Sequence, residues 1–356
     1  MLFSPLALGE LELSNRLVMA PLTRLRAGEQ GVPGSLIAEH YRQRASLGLI
    51  VSEGTYPTPA GRSYPGQPGL VTEDQIAGWK KVTDAVHAEG GRMFAQIMHG
   101  GRVSHADITG GHEIVAPSAV AIDGEVRTPQ GKQAYPVPRE LRTDELPGVI
   151  QEIVTASKNA IEAGFDGVEL HSANGYLLHE FLAPNSNVRT DSYGGSPENR
   201  ARFVIETVNA VVEALGANRV GIRISPEHNV QGIAETDATD VRATYEVLVD
   251  TIAPLNLAYL SILHHEPKGA LVQDLRERFN GTFLVNTGFS EITTRDEAFA
   301  IIEEGLADAV VVGRPAIANP DLARRWRESL PLNEPDASTF YADGAEGYTD
   351  YPFYAN

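Results

Sequence analysis

Cysteine is absent from the 356 residues. That removes structural disulfides, thiolate nucleophiles, Cys-ligated zinc and Cys-ligated iron–sulfur clusters together. Positive charge is scarce: 29 Lys and Arg stand against 47 Asp and Glu, leaving −18. A chain so acidic has no general attraction for nucleic-acid phosphate or for an anionic membrane face. Long apolar runs are missing as well, since nowhere do 18 apolar residues stand together and the opening MLFSPLALGELELSNR lacks a basic segment followed by an apolar one. A cytoplasmic globular protein with neither nucleic-acid nor membrane partners is the expectation.

What is there is a regular alternation. Eight short apolar, β-branched runs occur at 16–21, 47–54, 92–101, 166–172, 219–226, 257–264, 282–288 and 307–315. Near-continuous hydrophobicity suits strands buried on both faces. Between them the apolar residues take helical spacing. Leu146, Val149, Ile150, Ile153, Val154 and Ile161 form one stripe, Val204, Val208, Val211, Val212 and Leu215 a second, and Ala298, Ile301 and Ile302 a third. Gly164, Gly216 and Gly305 follow as helix stops. Eight strand–helix units in a row predict an α/β fold, a single (β/α)₈ TIM barrel over residues 1–356. A doubly wound open sheet is the competitor, and it lacks its signature: no G-x-G-x-x-G opens a helix after the first strand, and no G-x-x-x-x-G-K-[ST] occurs. Residues 1–15 are expected to form a β-hairpin closing the barrel bottom. The stretch 102–143, rich in Gly, Pro and Thr, reads as an excursion after strand 3, a ribbon or long loop over the barrel top.

Chemistry in such barrels gathers at the C-terminal strand ends. No lysine falls there, since Lys80, Lys81, Lys132, Lys158 and Lys268 all lie between strands, which counts against a Schiff-base aldolase. A glycosidase carboxylate pair is missing too, with Glu169 inside the fourth strand. His264-His265 could be argued as a metal pair, but neighbours on a strand point to opposite faces, and no metal site is expected. The ends do offer hydrogen-bonding groups. Gln96 and Arg223 share parity with inward residues and suit a planar heterocycle that becomes anionic. Gly288 and the Gly313-Arg314-Pro315 set match the phosphate position of this fold; tight turns are the alternative, the better reading for Gly288 taken alone, whereas the Gly313-Arg314-Pro315 set favours the phosphate. The segment His171-Ser172-Ala173-Asn174-Gly175-Tyr176 is the sharpest feature: on a helical turn His171 and Asn174 share one side, able to grip one oxygen, while the Tyr176 hydroxyl could deliver a proton.

These segments carry a resemblance. MAPLTRLR (19–26), YPGQPG (64–69), AQIMHGGR (95–102), GFDGVELHSANGYLLHEFLAPNSNVRTDSYGGSPENRARF (164–203), VGIRISP (220–226), VGRPAIANPDL (312–322) and the tail FYADGAEGYTDYPF (340–353) resemble the old yellow enzyme family of flavin-dependent ene reductases over nearly the whole chain. The resemblance implies bound, non-covalent FMN, contacted by Pro21, Thr23, Gly54 and Gln96, with Arg223 near flavin N1 and Gly288, Gly313 and Arg314 at the phosphate. Tyr64, Met98 and Tyr341 would line the substrate pocket. His171 and Asn174 would hold the activating oxygen and Tyr176 donate the proton.

The implied reaction is ping-pong. NADPH or NADH gives hydride to the flavin, which passes it to an electron-poor alkene, an α,β-unsaturated carbonyl or nitroalkene; nitrate esters and nitroaromatics are further acceptors. Missing cysteines set the chain apart from longer relatives that carry an iron–sulfur cluster. Two departures from the pattern stand out. Met98 replaces a Trp common among relatives, widening one pocket wall, and HHEPKGALVQDLRERF (264–279) is short. Two other readings remain. A barrel flavin oxidase or 2-hydroxy-acid dehydrogenase would use a histidine base and an arginine clamp, and a flavin-binding stress protein would turn over only incidentally. A monomer or weak homo-oligomer is expected, because Tyr348, Tyr351, Phe353 and Tyr354 in the tail could cover this barrel or a neighbour's.

Overall fold

In the computed structural model, which describes residues 1–289 and 292–355, all eight apolar runs become strands. They are Leu17–Met19, Leu49–Val51, Met93–Ile97, Gly167–Ser172, Val220–Ile224, Tyr259–Leu263, Phe283–Asn286 and Ala309–Val312. They pair in parallel, in sequence order, and the last closes on the first, giving the barrel. Each strand is buried throughout because alternate residues face opposite hydrophobic layers. Val18, Leu49, Val51, Phe94, Tyr259, Leu284 and Val311 fill the inside, while Leu17, Ile50, Ala95, Leu170, Ile222, Leu260 and Val310 pack outward on the helices.

The N-terminal hairpin, Leu6–Leu8 against Leu11–Leu13, sends Leu8 and Leu13 into the interior cluster. Both are buried, each worth roughly 1.5–3 kcal/mol of apolar burial, so the hairpin plugs the barrel floor. The helical stripes differ from expectation at their edges. In the helix Leu146–Glu162, Ala156, Ser157 and Ala160 are buried where Ile150 and Ile161 are only half covered. In Pro197–Leu215, Phe203 and Thr207 join the buried face while Val212 and Leu215 sit at its margin. Small residues let the helix axis approach the sheet, and the larger side chains are displaced to the flanks. Gly164, Gly216 and Gly305 all take positive φ at helix ends, as the sequence indicates.

The excursion after the third strand holds a short helix, Ala106–Thr109, and an antiparallel ribbon, Glu125–Thr128 with Gly131–Ala134. Met98, Val103, Ile122 and Tyr176 form a separate buried cluster, flanked by Tyr64 and Tyr135, that ties the excursion to the barrel top. The sixth strand leads to the helix Ala270–Phe279 through only six residues, 264–269. No described helix is long and apolar enough to cross a membrane.

Candidate active site

A cavity of about 1370 Å³ opens at the C-terminal strand ends. Of the residues singled out from sequence, Pro21, Thr23, Tyr64, Gln96, Met98, His171, Asn174, Tyr176, Arg223, Gly288, Gly313, Arg314 and Tyr341 all line it. Gly54 does not stand among them. It lies behind Met98, where an added Cβ would come within 2.5 Å of the Met98 sulfur and 3.3 Å of Gln96 Oε1. Its place in the wall is therefore to leave room for those two side chains.

His171 and Asn174 reach the cavity by another route than a helical turn. His171 belongs to the fourth strand, which runs to Ser172; Asn174 and Gly175 then turn left-handed at φ 58° and 86°. Neighbouring groups hold that turn: the Asn174 N–H donates to Ser225 Oγ at 2.8 Å, the Asn174 carbonyl accepts from Gln231 Nε2 at 2.7 Å, and the Gly175 N–H donates to His179 Nδ1 at 3.1 Å. A side chain at 175 would strike Gln231 Cβ at 2.8 Å, so glycine is required there on two counts. His171 Nδ1 and Asn174 Oδ1 are buried without a protein partner. Burial, reinforced by the Arg223 charge, lowers the His171 pKa well below the usual imidazole value. The ring is neutral at physiological pH and offers one N–H.

Tyr176 leads into the helix Leu177–Leu182, with its ring centroid 5.1 Å from that of His171. Its hydroxyl lies 2.7 Å from that of Tyr64. Burial raises both phenols, Tyr64 well above its ordinary value, while the bond from Tyr64 works to lower Tyr176. Either hydroxyl can donate in that bond, so Tyr64 is placed to donate to the oxygen that Tyr176 would leave behind on giving up its proton.

The floor is polar and buried. Gln96 Nε2 donates to Glu169 Oε1 at 2.8 Å, the Tyr259 hydroxyl donates to Glu169 Oε2 at 3.0 Å, and Arg223 Nη2 donates to Asn286 Oδ1 at 3.1 Å. Arg223 Nε and Nη1 have no partner. Gly288, at φ 113°, has no atom within 4 Å of the place a Cβ would take, and Gly313 meets only Leu22 and Ala20 at 3.5 and 4.0 Å. Arg314 is anchored through Nη2 to the Phe289 carbonyl at 2.6 Å. The helix it begins is only Arg314–Ala318, so positive potential there comes from the guanidinium and not from a helix dipole. His264 bonds Glu227 at 3.2 Å and is buried while His265 is exposed, but the two do not face opposite ways as expected: both lie beyond the sixth strand, which ends at Leu263, and their rings stack with centroids 4.6 Å apart.

The NADH:flavin oxidoreductase / NADH oxidase family matches residues 1–333. The chain belongs to this family. It is 42% identical to a probable flavin mononucleotide-dependent alkene reductase of Leishmania infantum, over 99% of this chain and 97% of that one. Among solved structures, the old yellow enzyme homologue of Zymomonas mobilis superposes with a TM-score of 0.93 at 38% identity, covering 99% of both chains. Morphinone reductase in complex with tetrahydroNAD gives 0.92 at 45%, covering 100% of this chain and 98% of that one. This NADH:flavin oxidoreductase is an enzyme of the old yellow enzyme type. Sequence reasoning passed over several residues in its site. Tyr259, Asn286 and Gln231 were not singled out, although Asn286 stands at a strand end with inward parity. Glu169 was noted only as misplaced for a glycosidase, yet its register partner across the sheet is Gln96. The tail does cover its own barrel: Tyr348 is buried, stacked on His40 at 4.0 Å and overlain by Arg24 and Arg26 at 4.9 and 4.2 Å.

Proposed function

We propose that the protein is a single-domain FMN-dependent ene reductase, taking hydride from NADPH or NADH and reducing activated C=C bonds by a ping-pong mechanism at one site. The observation that carries this reading is that three residues lining one cavity hold buried polar atoms without a protein partner: His171 Nδ1, Asn174 Oδ1, and Arg223 Nε and Nη1. Groups so costly to bury unpaired imply a ligand that completes them. The residues fit FMN held without a covalent bond. Arg223 and Gln96 would meet the pyrimidine edge, Pro21 and Thr23 the ring system, and Gly288, Gly313 and Arg314 the phosphate. When bound, the flavin accepts hydride from a nicotinamide and gives it to the alkene, and the tetrahydroNAD named with morphinone reductase supports a nicotinamide donor.

The chain's own residues then supply orientation and a proton. Neutral His171 and the Asn174 amide hold the carbonyl or nitro oxygen, and their bonds strengthen as negative charge grows on it, favouring the transition state over the ground state. Tyr176 protonates the α-carbon, with Tyr64 stabilising the phenolate. Met98 and Tyr341 bound the pocket, and nitrate esters and nitroaromatics are further acceptors, which need hydride but no proton from Tyr176. The test is titration of purified protein with FMN, followed by NADPH oxidation with and without a cyclic enone. FMN binding with enone-dependent oxidation supports the reading; a chain that binds no FMN overturns it.

A further inference from the structure

One buried ionisable group inside the barrel has no part in the mechanism above. Glu169 is 1% exposed and lies a layer below the cavity. Three strands converge on it. Register places it beside Gln96 on the third strand and Gly221 on the fifth. Gly221 faces Tyr259 on the sixth, and a Cβ on Gly221 would lie 2.5–2.7 Å from the Tyr259 ring. The missing side chain is what lets that ring cross the fifth strand and bring its hydroxyl to Glu169. Both carboxylate oxygens are thereby occupied, one by Gln96 Nε2 at 2.8 Å and the other by Tyr259 at 3.0 Å. Turning the Gln96 amide over would set its oxygen against a carboxylate, so one orientation is fixed. Burial raises the Glu169 carboxyl above its ordinary value, while the Arg223 guanidinium, which carries the opposing charge, and the bonds from Gln96 and Tyr259 all act to keep it ionised.

We propose that Glu169 is a positioning residue that sets the charge and hydrogen-bond polarity of the floor on which the pyrimidine edge of FMN rests. It pins Gln96 with a single face toward the cavity and offsets part of the Arg223 charge, tempering the preference of the site for reduced, anionic flavin. Without it, Arg223 acts unopposed in a low-dielectric interior where a single charge has long reach. This inference rests on the reading that the cavity holds FMN.

The experiment compares the dissociation constants of oxidised and reduced FMN, by anaerobic titration, for wild type, Glu169→Gln and Glu169→Asp. In Glu169→Gln, which keeps the shape and removes the charge, the ratio of oxidised to reduced constants is expected to rise on the order of tenfold, an upward move in midpoint potential of about 30 mV for a two-electron couple. Glu169→Asp keeps the charge but withdraws it from Gln96, and a smaller rise is expected. A merely structural role would weaken both redox states alike and leave the ratio unmoved. A Glu169→Gln ratio within twofold of wild type, or a fall, overturns the proposal. Should that variant not fold, an unmoved ratio in Glu169→Asp does so. Failure of the wild type to bind FMN counts instead against the functional reading.

Discussion

Tyr176→Phe separates the two half-reactions. The variant removes one oxygen from a buried site and leaves His171, Asn174, Gln96 and Arg223 in place, so hydride transfer from NADPH to bound FMN should stay within about twofold of wild type. Enone reduction loses its proton donor. A positioned general acid is worth about 10²–10⁴ in rate, and that is the expected slowing of flavin reoxidation. Tyr64 supplies a second, graded perturbation through its 2.7 Å bond to Tyr176. A hydrogen bond to a charged group is worth about 1.5–3 kcal/mol, so Tyr64→Phe should slow reoxidation about ten- to a hundredfold. Because Tyr64 acts on Tyr176, the double variant should be no slower than Tyr176→Phe alone. Burial holds the Tyr176 phenol above its ordinary value, so the wild-type reoxidation rate should be flat through neutral pH. The assay is anaerobic stopped-flow absorbance of the flavin, each half-reaction followed alone. Equal losses in both half-reactions, or a further loss on adding Tyr64→Phe to Tyr176→Phe, would refute the reasoning.

Other outcomes follow from the same geometry. Arg314→Ala should weaken FMN binding about tenfold, the low end for a charge-assisted bond at a partly exposed position, measured by quenching of flavin fluorescence; an affinity within twofold of wild type argues against the phosphate assignment. Met98→Trp should change product stereochemistry or substrate scope without changing FMN content, read by chiral chromatography, because Met98 belongs to the apolar wall with Val103, Ile122 and Tyr176. Glu180 is a stability device with a definite sign. Burial pushes its carboxyl up to about 8, so the folded state keeps a proton that the unfolded chain releases near pH 4.5. Wild-type stability should fall as pH rises across that window, by up to about 1.4 kcal/mol per pH unit, and level off above it. Glu180→Gln should flatten the fall, and denaturant melts at pH 5 and 8 that decline as steeply as wild type would refute it.

Parity and period made much of the site legible. A strand with period two fixes which residues face inward, and so Gln96 and Arg223 could be placed inside the barrel before any contact was known. The eight apolar runs did the same for the fold: a parallel sheet covered on both faces follows from them, and the missing dinucleotide fingerprint set the doubly wound open sheet aside in favour of the barrel. What escaped has one physical origin: contacts made by the far ends of long side chains depend on register between strands that are distant in sequence. Glu169 and Gln96, register partners on neighbouring strands, are separated by 73 residues. Gly221 shows the limit sharply. Its sequence context reads as an ordinary strand glycine, and its purpose, clearing a path for the Tyr259 ring, exists only once the fifth and sixth strands are paired. The Asn174-Gly175 turn failed in the opposite way. His171 and Asn174 both line the cavity, but Asn174 gets there through left-handed backbone, which Asn tolerates and Gly favours; the Asn-Gly dipeptide was itself the available signal.

Charge placement explains why the site survives in so acidic a chain. Among the described residues the only buried acids are Glu53, Glu169, Glu180, Glu235 and Asp321, so the acidic excess lies where water screens it, whereas the floor carries the Glu169 carboxylate and the Arg223 guanidinium out of reach of solvent. On the proposed reading an anionic cofactor would meet Arg223 and Arg314 at short range and the surface only through a screened field. The C-terminal tail extends the same economy. Arg24, buried and donating to the Phe340 and Gly347 carbonyls, follows Thr23 directly and shares its loop, while the Glu53 carboxylate accepts from the Arg24 and Leu25 N–H groups at 3.0 Å. The loop that presents Pro21 and Thr23 to the cavity is thus fixed from two sides by charges too deeply buried to move independently. A rigid loop there matters to the role proposed for Thr23, because a hydroxyl meant to bond the flavin would, if displaced by even 1 Å, lose the directionality on which that bond depends.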